Sequence, residues 1–479
     1  LLHPLLIAAA LLYAPGGLIA IAARLPVRVV VALAPALSVA VIAGTGLLAP
    51  GLGLAWGVSV VAGATAIIVL AAIAVRAAHR LTGILISRRA RAAAQDARDD
   101  GAPSDPDGAV PSEEPALQEP ADTPPAPASI GGRASRYWAA ARGPVEDLGL
   151  WIISAALMLA ICAQFINAPD AFSQTYDAVY HLNAVRWILD TGNASSLSFD
   201  MVISRGAVYP LGWHTLVALT MRLSGITSIP LASNAVMCAV AGLTWTSGVI
   251  TLTSALTAGR RAGRIATAVL ASAAPAFPLL GLFWGILYPV FLATAMLPSV
   301  LLTAVTASAR GMTLPRRAVL WLMAGAGCVG LALAHPSIIV IALIAGVSAA
   351  ATRSVSLAVC AVRARHHMRR AALAYVLTAL LAGASWFAAP ALRASKSVSQ
   401  WPPYTSVAGG IGEAVTSAPE LTAIVWPLAL LTVIGFLSAW HRQGTRWVAL
   451  THTVICGLYV VDVSQKVSPL RYSLTGFWY

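Results

Sequence analysis

Apolar runs long enough to cross a bilayer recur from one end of the chain to the other, separated by short polar segments. A helix that crosses the hydrocarbon core needs about 20 mostly apolar residues, and runs of this length set such helices apart from the shorter apolar runs of water-soluble proteins. The pattern predicts an all-α integral membrane protein with about twelve transmembrane helices. The predicted spans are residues 1–23, 29–48, 53–75, 148–166, 230–256, 265–283, 289–308, 318–334, 336–351, 371–389, 421–440 and 447–463.

One segment interrupts this pattern. Between Ala92 and Gly132, acidic residues and prolines replace the large apolar ones, and such a composition cannot bury enough surface to fold. The sequence therefore predicts a three-span N-terminal membrane unit with a basic interfacial helix at 1–91, a disordered linker at 92–146, and a nine-span unit at 147–479. The chain stops soon after the last predicted span, and we expect further protein after Tyr479.

Charge sets the predicted orientation. Only 10% of residues are charged against 58% hydrophobic, so the net charge of +13 points to membrane topology and not to nucleic acid. Cytoplasmic loops of membrane proteins carry an excess of Lys and Arg. With the N-terminus outside the plasma membrane and the linker in the cytoplasm, only seven of the 31 basic residues lie outside: Arg186, Arg205, Arg222, Arg393, Lys396, Lys466 and Arg471.

The same charge argument decides a doubtful apolar segment at 208–223. If it crossed the membrane, every later basic loop would face outward, against the usual charge distribution. We therefore predict an amphipathic or re-entrant helix at the outer interface. A long structured outer loop at 167–229 then precedes the fifth span.

Candidate chemistry is concentrated in this loop. A helix is predicted over 176–189, with Gly192 as its C-terminal stop. Asp177 and His181 are four residues apart and so lie on the same side of that helix. Asp177 suits a helix cap, a general base, or a divalent-ion ligand with His181 as a second contact. His181 and His214 suit direct roles or simple polar contacts at the interface.

Two later residues are candidates for binding a phosphate group. His335 lies with Pro336 in a very short predicted outer turn, where its ring could donate a hydrogen bond or simply face water. Arg471 follows the last span and suits either a phosphate contact or an interfacial anchor.

The loop and the spans around it resemble the GT-C class of glycosyltransferases, which use polyprenyl-phosphate sugars. The element Tyr209-Pro210-Leu211-Gly212-Trp213-His214 is similar to the Tyr-Pro-Pro or His-Pro-Pro-Leu stretch of protein O-mannosyltransferases and aminoarabinose transferases. The resemblance covers mainly residues 148–263. The runs 176–181 and 188–197 look like a family of large actinobacterial multi-pass membrane proteins thought to belong to this class.

The resemblance implies an inverting sugar transfer at the outer face, in cell envelope biosynthesis. Asp177 matches the catalytic acid of such families and would be the base. The expected donor is a polyprenyl-phosphate sugar, such as decaprenyl-phosphate arabinose or mannose, and the acceptor is an envelope glycan, lipoglycan or protein. The residues expected to bind the donor are His181, Arg186, Arg205, Tyr209, His214, His335, Arg393, Lys396 and Arg471.

The sequence departs from the class at one informative position. Ala178 follows Asp177 where several of these families carry a second acid. We therefore expect no metal and no other cofactor, with a divalent ion as the alternative. Two other functions remain open: a lipid-linked glycan flippase or transporter, and a non-catalytic scaffold of envelope assembly. Polar groups are concentrated in the outer loops and not at mid-depth of the spans, which favours surface chemistry over transport.

Overall fold

The computed structural model of the protein describes residues 1–99, 130–173, 177–199, 208–283, 287–364, 372–373, 375–380, 383, 401–419 and 424–467. Within these ranges the regular elements are helices, and the one β-bridge joins Trp401 to Val467. Nine of the described helices are long and apolar enough to cross a membrane. The predicted class, an all-α multi-pass membrane protein, is confirmed at this level.

The helices are numbered here in chain order. They are α1 (Leu2–Ala22), α2 (Val27–Leu48), α3 (Val58–Asp99), α4 (Ile130–Ile166), α5 (Ala178–Thr191), α6 (Gly212–Ser224), α7 (Ile229–Ala239), α8 (Thr246–Leu256), α9 (Arg261–Leu270), α10 (Gly281–Phe283), α11 (Tyr288–Ala307), α12 (Leu314–Ala334), α13 (Ile338–Ala364), α14 (Val407–Thr416), α15 (Trp426–His441) and α16 (Arg446–Ser464).

Three of the twelve predicted spans are not among the nine. The span predicted at 265–283 is interrupted. Helix α9 ends at Leu270, and a kinked π-helical segment, Pro275–Leu280, leads into α10. Prolines at 275 and 278 explain this break, because proline has no backbone N–H to continue a helix. The span predicted at 421–440 is the shorter α15, which begins at Trp426. Most of the span predicted at 371–389 lies outside the described residues.

Helix α2 is packed at very short range between α1 and α12. A Cβ atom added to Gly16 of α1 would lie 2.0 Å from the carbonyl oxygen of Ala34. On the other side of α2, a Cβ atom added to Gly330 of α12 would lie 2.0 Å from the carbonyl oxygen of Ala36. Small residues allow membrane helices to approach this closely. The first two helices are therefore part of the same packed bundle as the helices that follow the linker.

The chain divides into two compact units, which differ from the predicted domains. One unit is Leu1–Ile68 with Leu150–Tyr479, and the other is Val69–Gly149. The predicted boundary between 1–91 and 147–479 does not coincide with this division. Residues 92–99 and 130–146 of the predicted linker are helical, in keeping with the high helix propensity of the alanine- and arginine-rich sequence before Asp99. Residues 100–129 lie outside the described residues.

Helix α6 is the segment at 208–223 whose membrane crossing was in doubt. Its 13 residues reach about 20 Å, which is too short to cross the hydrocarbon core. Each residue from Gly212 to Met221 is buried, and α6 contacts α1, α2, α5, α7, α11 and α12. Burial from Gly212 to Met221 leaves this part of α6 without the exposed polar face of an amphipathic interfacial helix. The re-entrant form stays a prediction, and a short helix at membrane depth is tolerated where protein surrounds it.

The segment between α2 and α3 holds the helices of this loop in place. The Trp56 backbone N–H donates to the carbonyl oxygen of Gly192, just after α5, at 3.3 Å. The guanidinium group of Arg222, near the end of α6, donates to the carbonyl oxygen of Trp56. Nearby, the Ser195 hydroxyl donates to the carbonyl oxygen of Leu47 at 3.3 Å. The N-terminal part of the chain thus holds the middle of the predicted outer loop, after α5, and the end of α6.

Candidate functional site

Asp177 lies immediately before the first turn of α5. Its side chain makes no capping hydrogen bond, although the residue occupies the capping position. The side chain is exposed, yet neighbouring protein atoms desolvate the carboxylate enough to raise its pKa above the usual value. The helix ends at Gly192, which has the left-handed conformation with φ of 66°, so the predicted stop signal is confirmed. Asp177 is therefore a carboxylate at the mouth of a buried site, without the capping bond that would explain it structurally.

A pair of buried histidines lies behind Asp177. His181, one turn into α5, places its Nδ1 atom 3.0 Å from Nε2 of His214 in the first turn of α6. The exposed fraction of His181 is 2% and that of His214 is 0%. Burial lowers the pKa of His181 to about 3, with a further contribution from His335, and lowers the pKa of His214 well below 6.5. Both rings are therefore neutral near pH 7.

The hydrogen bond between these rings couples their tautomers. A neutral imidazole has one N–H donor and one bare acceptor nitrogen. If His181 donates to His214, the outer nitrogen of His214 carries a proton; if His214 donates, the outer nitrogen of His181 carries it. These two outer atoms, Nε2 of His181 and Nδ1 of His214, are buried without a hydrogen-bond partner. The pair therefore always presents one donor and one acceptor to whatever lies beside it.

Tyrosine and phenylalanine rings enclose the outer side of the pair. The Tyr209 ring centroid lies 5.8 Å from that of His214 and 4.9 Å from that of Tyr180. Two bonds to Ser196 hold this segment: the Tyr209 N–H donates to its carbonyl oxygen at 3.2 Å and the Leu211 N–H to its hydroxyl at 3.3 Å. Burial raises the pKa of Tyr209, with smaller contributions from Tyr180 and Asp177. Tyr209 is thus held just before α6, beside the rings of His214 and Tyr180.

His335 joins the same group of residues from the turn between α12 and α13. Its Nδ1 atom lies 2.6 Å from the Ser337 hydroxyl oxygen, and partial burial lowers its pKa to about 4. The preceding turn of α12 packs against the start of α6, since a Cβ atom on Gly212 would lie 2.7 Å from the Leu333 carbonyl oxygen. The structure thus brings together five residues singled out from the sequence: Asp177, His181, Tyr209, His214 and His335.

The remaining candidates are not part of this group. Arg186 forms an exposed ion pair with Asp190 four residues later, at 2.8 Å, on a different face of α5 from His181. The other predicted cations lie outside the described residues: Arg205, Arg393, Lys396 and Arg471.

Two features of the site were not predicted from the sequence. Trp213 stacks on Tyr288 of α11 with the rings nearly parallel and their centroids 4.5 Å apart. The indole N–H of Trp213 is buried without a hydrogen-bond partner. The position of Trp213 within the Tyr-Pro-x-x-x-His element was visible in the sequence. It predicted a ring at the level of the lipid headgroups, whereas the structure buries the ring.

In the part of the chain that the structure describes, no three His, Cys, Asp or Glu side chains form a group that could hold a metal ion.

The helices define a multi-pass membrane protein, and the buried helix α6 helps to enclose a polar site around the histidine pair. The chain belongs to DUF6541, a family of unknown function, whose family model matches residues 9–479. No curated protein and no solved structure matches the chain.

Proposed function

We propose that this protein is a membrane glycosyltransferase of the GT-C type, which transfers a sugar from a polyprenyl-phosphate donor to an envelope acceptor on the outer face of the plasma membrane. The observation that carries the proposal is the position of Asp177. Its carboxylate has a raised pKa, makes no capping bond, and lies at the entrance to a buried group of hydrogen-bonding side chains. A base at such a position is within reach of a hydroxyl group that approaches from the aqueous side.

In the proposed reaction, the acceptor hydroxyl oxygen attacks the anomeric carbon of the donor sugar. The bond between that carbon and the phosphate oxygen breaks, and the lipid phosphate leaves with the electron pair. Asp177 accepts the hydroxyl proton, and the configuration at the anomeric carbon inverts. A general base of this kind contributes typically 10²–10⁴-fold to the rate.

The experiment measures transfer of radiolabelled sugar from a polyprenyl-phosphate donor in membranes that contain the intact protein or the Asp177→Asn variant. Asparagine keeps the shape of the side chain but cannot accept the proton, so transfer should fall at least about 100-fold. Asp190→Asn is the matched control, because Asp190 is an exposed carboxylate on the same helix, paired with Arg186. Equal transfer by the Asp177→Asn variant would rule out this role for the carboxylate.

One observation favours a second candidate function, a flippase or transporter of lipid-linked glycans. The fifth predicted span contains a π-helical segment, Val240–Trp245, near its middle. The next predicted span is interrupted between α9 and α10. Interrupted helices at mid-depth are a common feature of transporters. Proteoliposomes that move a lipid-linked sugar between leaflets, without transferring the sugar, would favour this function. If neither sugar transfer nor movement of the lipid-linked sugar is detected, the third function, a non-catalytic scaffold of envelope assembly, would be favoured.

A further inference from the structure

The start of α6 is a helix N-terminus enclosed by protein. The first backbone N–H groups of a helix have no partner within it, and most buried ones are satisfied by a side chain or another acceptor. No side chain caps α6, its first turn contains no acidic residue, and Gly212, Trp213 and His214 are all buried. Buried N–H groups without an acceptor are costly, so this arrangement suits a ligand that supplies one.

Further hydrogen-bonding groups lie in the same turn. The indole N–H of Trp213 has no partner, although the exposed fraction of Trp213 is 0%. An indole nitrogen can only donate. The outer nitrogens of His181 and His214 also lack partners, and one of the two must carry a proton in the neutral pair. Unpartnered, fully buried side chains therefore accompany the uncapped helix start.

These groups are donors without a formal charge. The N-terminus of a helix carries the positive end of its dipole, and backbone N–H groups at such ends bind phosphate and carboxylate groups. Val208, four residues before Gly212, has an exposed fraction of 69%.

We propose that the first turn of α6, with Trp213 and the His181–His214 pair, is an oxyanion site that holds the phosphate group of a phosphate monoester or diester through neutral donors. That the phosphate is attached to a polyprenyl lipid rests on the function proposed above. His181 and His214 were already expected from the sequence to bind the donor, and the proposed site adds Trp213 and the first backbone N–H groups of α6 to them. The same hydrogen-bond chemistry would also accept free phosphate.

The test measures binding to the purified full chain in detergent, by the shift in melting temperature and by titration. The probes are farnesyl phosphate, inorganic phosphate, and farnesol, which has the same lipid chain without the anion. Farnesyl phosphate should bind and farnesol should not. Competition by inorganic phosphate would mean that the phosphate group alone is enough for binding. If inorganic phosphate does not compete and binding of farnesyl phosphate depends on Trp213, the ligand is a lipid-linked phosphate.

Trp213→Phe removes the indole N–H and keeps an aromatic ring over Tyr288. Loss of one hydrogen bond to a charged group should weaken binding of farnesyl phosphate about tenfold or more. Trp321→Phe is the control, because Trp321 of α12 is half exposed on the side of the bundle. Unchanged affinity in the Trp213→Phe variant, or no binding of either anion to the intact protein, would overturn the proposal. His214→Asn provides a second test if Trp213→Phe does not fold.

The binding assay separates this inference from the proposed reaction. The Asp177→Asn variant should bind farnesyl phosphate at least as tightly as the intact protein, because Asp177 is not one of the donors and its negative charge opposes binding of an anion. Binding that depends on Trp213, without sugar transfer from any donor, would leave the oxyanion site standing and contradict the glycosyltransferase. Normal sugar transfer by the Trp213→Phe variant, with an unchanged KM for the donor, would contradict the oxyanion site and leave the glycosyltransferase standing.

Discussion

The guanidinium group of Arg222 donates a hydrogen bond at 2.7 Å to the backbone carbonyl oxygen of Trp56 and lies 5.8 Å from the centre of the Trp56 ring. Arg222 is near the end of α6, whereas Trp56 lies between α2 and α3, before the linker. The Trp56 side chain is buried, and its indole N–H donates to the Thr45 hydroxyl at 3.2 Å. The N-terminal helices thus serve as a support for the re-entrant helix.

Replacing Arg222 by glutamine should lower the free energy of unfolding by about 1–2 kcal/mol, because the Trp56 carbonyl loses its donor and the ring loses its cation. Thermal melting in detergent measures the effect. Arg186→Gln is the control, since an exposed ion pair of the kind it forms with Asp190 contributes about 0–1 kcal/mol. Equal melting temperatures for the two variants would contradict the supporting role of Arg222.

Gly330→Ala should destabilise the bundle, because the added Cβ atom would lie 2.0 Å from the Ala36 carbonyl oxygen and α12 must move away from α2. We expect a cost of at least about 1–3 kcal/mol, which is typical of overpacking. Gly325→Ala on the same helix is the matched control, since a Cβ atom there meets nothing within 4 Å. Melting temperatures should fall for Gly330→Ala alone, because alanine favours a helix more than glycine does and only the contact with Ala36 opposes it. A comparable fall in both variants would mean that this contact is not responsible.

Acid should destabilise the protein through the buried histidine pair. The pKa of His181 is lowered from 6.5 to about 3, so the unfolded chain binds a proton in this range that the folded protein does not. Stability is therefore complete above pH 6.5 and is lost as the pH falls toward 3, by up to about 1.4 kcal/mol per pH unit for each such histidine.

Melting temperatures measured from pH 7.5 to 4.5 check this prediction. The slope should decrease when both His181 and His214 are replaced by asparagine. It should not decrease when His441, an exposed histidine at the end of α15, is replaced. An unchanged slope in the double variant would show that other groups cause the acid sensitivity.

Sugar transfer should also depend on pH through Asp177. The carboxylate can accept a proton only when it is ionised, and desolvation raises its pKa above the ordinary aspartate value of 3.8. Transfer should therefore fall on the acid side with a midpoint above that of an ordinary exposed aspartate. The profile of kcat/KM against pH measures the midpoint. A rate that stays level down to pH 4 would exclude a base with a raised pKa.

The long apolar runs were enough to predict most of the bundle, because a span of 20 apolar residues has few alternatives to a transmembrane helix. The sequence also predicted α5 and its end at Gly192, where backbone conformation and residue type agree. Residues 265–283 were predicted as one span, since hydropathy is insensitive to the hydrogen bonds that prolines remove, and the structure interrupts this span between α9 and α10. The disordered linker stays a prediction for residues 100–129, which lie outside the described residues, whereas residues 92–99 and 130–146 are helical.

The candidate site could be predicted only in part. Spacing along one helix placed Asp177 and His181 on the same side, but no sequence pattern links His181 to His214 across two helices or either of them to His335. Their proximity depends on α6 being buried, which hydropathy alone could not distinguish from an interfacial position. The support of α6 by Trp56 and Arg222 was missed for the same reason, since it joins residues far apart in the chain.

The burial of α6 has a consequence for the order in which the protein assembles during synthesis. This helix is too short to remain in the membrane as a span, and three of the helices around it, α7, α11 and α12, follow it in the chain. When His214 leaves the ribosome, only part of its final environment exists. The histidine pair can be enclosed only after the turn that contains His335 and Ser337 has been made, so a chain that ends before this turn should insert its early helices and still lack the site.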